Sequence, residues 1–296
     1  MFGNSAHHHH RRATRPQATA QRGQGQMTLV WGIVGATVIV AALVGYGAYV
    51  GVKRHQDTQK ELLALRETGS ELIDQQRKLV DGKASRADAP VPKAGETVPA
   101  RNEAEMLRGF NAALREIGGR NHRQQALIAA EVKALNLSRV LAPEQLTSAQ
   151  GRRAGRETAQ RYLALIERSS ADGDKARTDL RARVEILVSR LPNRDELMAQ
   201  YGRSTTGRIA LEDQLIRNQR EVCDLMLQAI ELMETARKRV QIQNGQLAFN
   251  RQSDLDAYNG IIDRIQAAGR EEERLAQRDR ALLDQAQAQF DKVSKM

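Results

Sequence analysis

The residues at 202–209, GRSTTGRI, have the glycine spacing of a phosphate-binding loop. Such a loop needs Lys and then Ser/Thr after its second glycine, to hold the terminal phosphates and a magnesium ion. Here Arg208 and Ile209 stand in those places, and no strand precedes them. A tight packing point on a helix is the expected role. DLDAYNG, from Asp254, has the alternating acids of a calcium loop. It sets Tyr258 where an oxygen ligand belongs and its glycine one place late. Outside His7 to His10, the histidines are His55 and His122, so a paired-histidine zinc motif or a histidine-based triad has no material. The single Cys223 excludes an internal disulfide, and its neighbours Val222, Leu225 and Met226 make it a small core residue. No catalytic, metal or cofactor-binding residue is expected, and no enzyme. One binding possibility remains. If Pro192 marks a helical hairpin, Ser170, Gly173 and Arg177 on one arm come near 202–208 on the other. A layer of small polar residues there would leave a pocket in which Arg177 or Arg208 receives a carboxylate.

The elements that position these residues begin with residues 28–52, TLVWGIVGATVIVAALVGYGAYVGV, a run of 25 residues without a charge. As a helix it reaches roughly 37 Å, enough to cross a bilayer core of about 30 Å with some tilt. Trp31 near one end and Tyr46 and Tyr49 near the other suit the two headgroup levels. The run is longer than the apolar region of a cleaved signal peptide. The expectation is an uncleaved signal-anchor in a bacterial inner membrane. Arg11, Arg12, Arg15 and Arg22 precede it with no acid among them, and Lys53 and Arg54 follow. The acid-free tail places the N-terminus in the cytoplasm and the C-terminal domain in the periplasm. The reverse topology, with a cytoplasmic C-terminal domain, is the alternative.

The chain holds 46 basic and 36 acidic residues. Beyond the tail the signs alternate and aromatics are scarce, which fits the solvated faces of long helices better than a nucleic-acid surface. Leu65, Leu72 and Leu79 recur every seven residues, reading as an amphipathic helix that continues the span outward as a stalk. Gly47 and Gly51 form a small-xxx-small pair inside the span. Together Gly47, Gly51, Leu65, Leu72 and Leu79 offer a seam for a parallel homodimer. Pro90, Pro92 and Pro99 then impose an extended linker.

After the linker, helical stripes take over. The first carries Met106, Phe110, Ala113 and Ile117, with Gly118 and Gly119 as a point of bend or interruption. The second, starting at Pro143, carries Leu163, Ile166, Leu180, Val184, Leu187 and Leu191, and its phase survives SSADGD. Pro192 and Asn193 open the next, with Val222, Met226, Ala229, Met233, Ala236 and Val240, which should be the most buried. Asn244 and Gly245 are read as its end. The last carries Leu255, Tyr258, Ile262, Ile265, Leu283, Ala286, Phe290 and Val293. Glu272 and Asp279 fall in its apolar phase, which predicts a partly exposed stripe.

The fold class is therefore all-α: one transmembrane helix followed by an elongated antiparallel bundle of about four helices. The expected divisions are a disordered tail (1–27), the span (28–52), a juxtamembrane helix (53–82), a linker (83–101) and the bundle (102–296). The functional expectation is a non-enzymatic envelope scaffold whose partners are the lipid bilayer, other envelope proteins and, along the seam above, a second copy of itself. The layout also resembles the helical-bundle ligand-binding regions of bacterial chemoreceptors. That likeness implies a sensory alternative, with the departure that no second apolar run follows. A phage spanin is a further shape analogue, though this bundle is more elaborate.

Overall fold

The structure, a computed structural model, describes residues 56–80 and 95–293. Almost all of them are helical. Six helices follow in order: α1 (Gln56–Val80), α2 (Glu103–Leu135), α3 (Pro143–Thr147), α4 (Ala149–Val188), α5 (Arg194–Thr235) and α6 (Gln252–Val293). A two-stranded hairpin, β1 (Val240–Gln243) and β2 (Gln246–Phe249), joins α5 to α6. Among the described residues no helix is long and apolar enough to cross a membrane. The expected span at 28–52, with Gly47 and Gly51, lies outside the described residues, as does most of the proline-containing linker.

Local chemistry sets the boundaries. The Asn102 side chain accepts the Glu105 N–H at 2.9 Å and starts α2, and Asn136 in the left-handed conformation ends it. Gly118 and Gly119 do not interrupt that helix. Pro143 occupies the first turn of the short α3, where its missing N–H costs nothing. Ser148 then accepts the Gly151 N–H and starts α4. Gly151 is required there: a Cβ would stand 2.4 Å from the Gln145 carbonyl oxygen of α3. SSADGD is helical throughout, as its phase implied.

Cross-helix pairs fix the directions. Arg108 meets Glu61 and Arg115 meets Thr68, both 47 residues apart, so α1 and α2 run parallel. The Arg120–Asp179 and Arg168–Glu131 pairs set α4 antiparallel to α2. Arg156–Glu234 and Arg220–Glu167 set α5 antiparallel to α4, and Arg264–Glu221 and Arg278–Gln214 set α6 antiparallel to α5. Arg66–Asp291 and Arg77–Asp284 return α6 to α1. The stretch at 95–100 leads into α2, and its Ala100 N–H donates to the Leu187 carbonyl at 3.0 Å.

Three expectations are corrected. The helix read as a separate stalk belongs to the bundle: Leu65, Ile73 and Leu79 of α1 are buried, and Leu62 and Leu72 pack on the same core. Among the described residues the bundle thus has five long helices, where about four were expected. The helix read as running to Asn244 and Gly245 stops at Thr235, and those two residues form the turn of the hairpin. Both have positive φ, 52° and 76°, as a two-residue turn between twisted strands demands. VQIQNGQLAF carried this signal, and Val240, assigned to the helical stripe, is a strand residue. Finally, Glu272 and Asp279 are not on an exposed stripe; both are fully buried.

The interior divides into two apolar clusters. One, at the α1 end, joins Leu65 and Ile73 to Phe110, Ile117, Leu180, Leu187 and Leu283. The other, toward the hairpin, joins Ile128, Tyr162, Ile166, Val222, Met226, Ile230, Met233 and Leu275. Each side chain so buried contributes about 1.5–3 kcal/mol relative to exposure. What lies between the clusters is polar.

Candidate functional site

The polar layer is built by in-phase residues of neighbouring helices. On α5, Arg208, Glu212 and Gln219 fall on the inward face, four and seven residues apart. On α6, Glu272 and Asp279 do the same, seven apart. Antiparallel packing then matches them: Arg208 pairs with Asp279, and the Gln219 amide donates to Glu272 at 3.4 Å. From α4, Arg177 reaches Glu212 and also Asp174 one turn away. On the far side of α4, the Ser169 hydroxyl donates to the Gln125 side-chain oxygen of α2 at 2.8 Å. Asn121 and His122 lie one turn before Gln125 and are buried. The constant offset between α1 and α2 brings the buried Gln76 of α1 to the same level. All five long helices therefore contribute to one slab, close to where α1 ends.

Burial governs the charge states. Arg208 is 4% exposed and Asp279 2%. Desolvation draws the Arg208 guanidinium down to about 9, against the pull of Glu212, so it remains a cation at neutral pH. Burial works to lower Arg177 too, but the Glu212 and Asp174 carboxylates outweigh it and hold that guanidinium above its ordinary value. Glu212 is raised by burial despite Arg177 and Arg208. Glu272 has only the Gln219 amide to offset burial, which lifts it to about 8. It is a neutral acid at pH 7. Above it, the Tyr162 hydroxyl is raised by burial and by the nearby Glu272 and Cys223. Burial lifts the Cys223 thiol to about 12, so it stays protonated and unreactive. Burial lowers His122 from its ordinary value, which disfavours its charged form. Its Nδ1, both amide atoms of Asn121, Oε1 of Glu212 and Oε2 of Glu272 have no hydrogen-bond partner among the described residues.

The chain matches no family model, no curated protein and no solved structure. The site is therefore read from its own chemistry.

Of the four residues expected to form a pocket, the two arginines meet at Glu212. Gly173 and Arg208 are buried and Arg177 nearly so; Ser170 is half-buried while its neighbour Ser169 makes the cross-helix bond. The carboxylates they receive are the chain's own, Glu212 and Asp279. Sequence reasoning named the arginines and missed their acids. The signal was present: Glu212 follows Arg208 by one turn, and Glu272 and Asp279 sit in the apolar phase of α6. Gly202 and Gly207, the loop-like glycines, are exposed and helical. A separate small cleft of about 30 Å³ lies between Phe110, Val184, Leu197 and Tyr201, room for about two water molecules. Of the five residues offered to a dimer seam, Leu65 and Leu79 are 2% and 1% exposed, covered by this chain's own helices.

Proposed function

We propose that this protein is a membrane-anchored, non-enzymatic helical scaffold of the bacterial envelope. In this reading residues 28–52 form the anchor in the inner membrane, the N-terminus is cytoplasmic and the bundle is periplasmic. The supporting observation is the integration of α1. The uncharged run stops three residues before α1 begins, and α1 is fastened along its length to α2 and α6. An anchor attached there holds a rigid bundle and not a swinging domain, which suits a protein that presents a surface at a fixed place. The sensory alternative is less well supported. An anionic ligand needs a free cation in the bundle, and Arg177 and Arg208 already hold Glu212 and Asp279.

Membrane fractionation tests the reading. The full chain should pellet with membranes and resist alkaline carbonate, and a chain lacking 28–52 should be released as a folded helical protein. Release of the full chain by carbonate would refute the anchor.

A further inference from the structure

The net charge of +10 is unevenly placed. The tail at 1–27 holds four of the excess cations. Residues 133–153 and 236–254 hold eight basic and two acidic residues. The rest of the chain is balanced, with 34 of each sign. The fold brings those two segments to one end of the bundle, where the 3-10 turn Leu137–Arg139, α3 and the hairpin close over the second apolar cluster. Two of the eight cations are engaged: Arg239 pairs with Asp254, and Arg152 is buried and donates to the Leu146 carbonyl. Lys133, Arg139, Arg153, Arg237, Lys238 and Arg251 are exposed. Among them β1 leaves Ile242 41% exposed, and neither strand of the hairpin has a second strand beside it.

We propose that this hairpin end is an interaction surface for an acidic, extended segment of a partner protein. Six exposed cations, of which Arg237 lies near Glu234 and Arg251 near Asp254, supply attraction and steering for carboxylates. The hairpin strands, which pair only with each other, and the exposed Ile242 supply main-chain pairing and an apolar contact, the elements of strand addition. Nucleic acid fits less well, because the nearby aromatic Phe249 is turned onto Tyr258, with ring centroids 5.4 Å apart, and offers no face for base stacking. The protein's own bilayer fits less well too. The apolar run joins at the start of α1, beside the start of α5, and α5 runs 42 residues to the hairpin. At 1.5 Å per residue that is roughly 60 Å. This last argument rests on the anchored reading above; the charge argument does not.

The test uses the full chain in zwitterionic nanodiscs and a fluorescein-labelled 12-residue peptide alternating glutamate and valine. Anisotropy should show binding that weakens as salt rises. R237E/K238E/R251E should weaken it at least tenfold with an unchanged circular dichroism spectrum. R161E/R203E/R217E, which reverses three exposed charges elsewhere, should change it less than twofold. The proposal is overturned if the peptide does not bind at low salt, or if both triple variants weaken it equally. It is equally overturned if phosphatidylglycerol vesicles or a 20-base-pair DNA duplex bind tenfold more tightly at this end. A chain that binds the peptide but fails to enter nanodiscs upholds this surface and refutes the anchor.

Discussion

Removing one member of the Arg208–Asp279 pair should be among the most damaging single changes in the bundle. Both side chains are almost wholly excluded from solvent, so either one left alone is an uncompensated buried charge. Such losses run at about 3–5 kcal/mol, a factor of a hundred or more in the folded-to-unfolded ratio. The two singles differ in the charges they leave. After D279L, Arg208 still has Glu212 nearby, which points to the lower end, about 3 kcal/mol. After R208L, Asp279 loses its only ion-pair partner among the described residues, which points to the upper end, about 5 kcal/mol. The double variant R208L/D279L removes both charges and should recover to within about 1 kcal/mol of the parent or exceed it. Urea titration of the full chain in a mild detergent, followed at 222 nm, measures all three. Single substitutions costing less than ~0.5 kcal/mol, the range of surface changes, would refute the burial argument. A double variant as unstable as the worse single would refute the pairing argument.

Three further outcomes follow from other parts of the structure. Glu272, held protonated by burial to about 8 against an ordinary 4.5, should make stability fall as pH rises from about 4.5 toward 8, by up to ~1.4 kcal/mol per pH unit. E272Q should flatten that slope in urea titrations at several pH values, and an unchanged slope would contradict the assignment. Met226→Asp or Met233→Asp, each placing a charge in a fully buried position, should abolish the cooperative thermal transition. A fragment beginning at Gln56 should be more stable than one beginning at Arg101. The shorter piece forfeits the burial of Leu65, Ile73 and Leu79, about 1.5–3 kcal/mol each before ordering entropy is offset; equal melting temperatures would contradict the placement of α1.

The helical class and most of the core were legible because apolar spacing reports which face is buried. Met106, Phe110, Ile117, Val222, Met226 and Met233 are all where that spacing put them. Spacing does not report which neighbour covers the face. Leu65, Leu72 and Leu79 therefore looked equally fit for a second copy and for this chain, and only the parallel return of α1 along α2 decides between them. The hairpin was written in Asn244 and Gly245, but a helix end uses the same residue types. In the polar layer the arginines were legible and their partners were not. An acid in an apolar phase has two meanings, an exposed stripe or a buried pair, and the choice depends on a residue 71 positions away for Asp279 and 53 for Glu272. Asp279 has Arg208, and Glu272 has Gln219.

The claim that 28–52 anchors an exported bundle is tested most directly by reporters fused after residue 296 in bacterial cells. Alkaline phosphatase, active only outside the cytoplasm, should be active, and a fluorescent protein that matures only inside should stay dark. An inactive phosphatase with a bright fluorescent fusion would contradict the account and place the bundle in the cytoplasm.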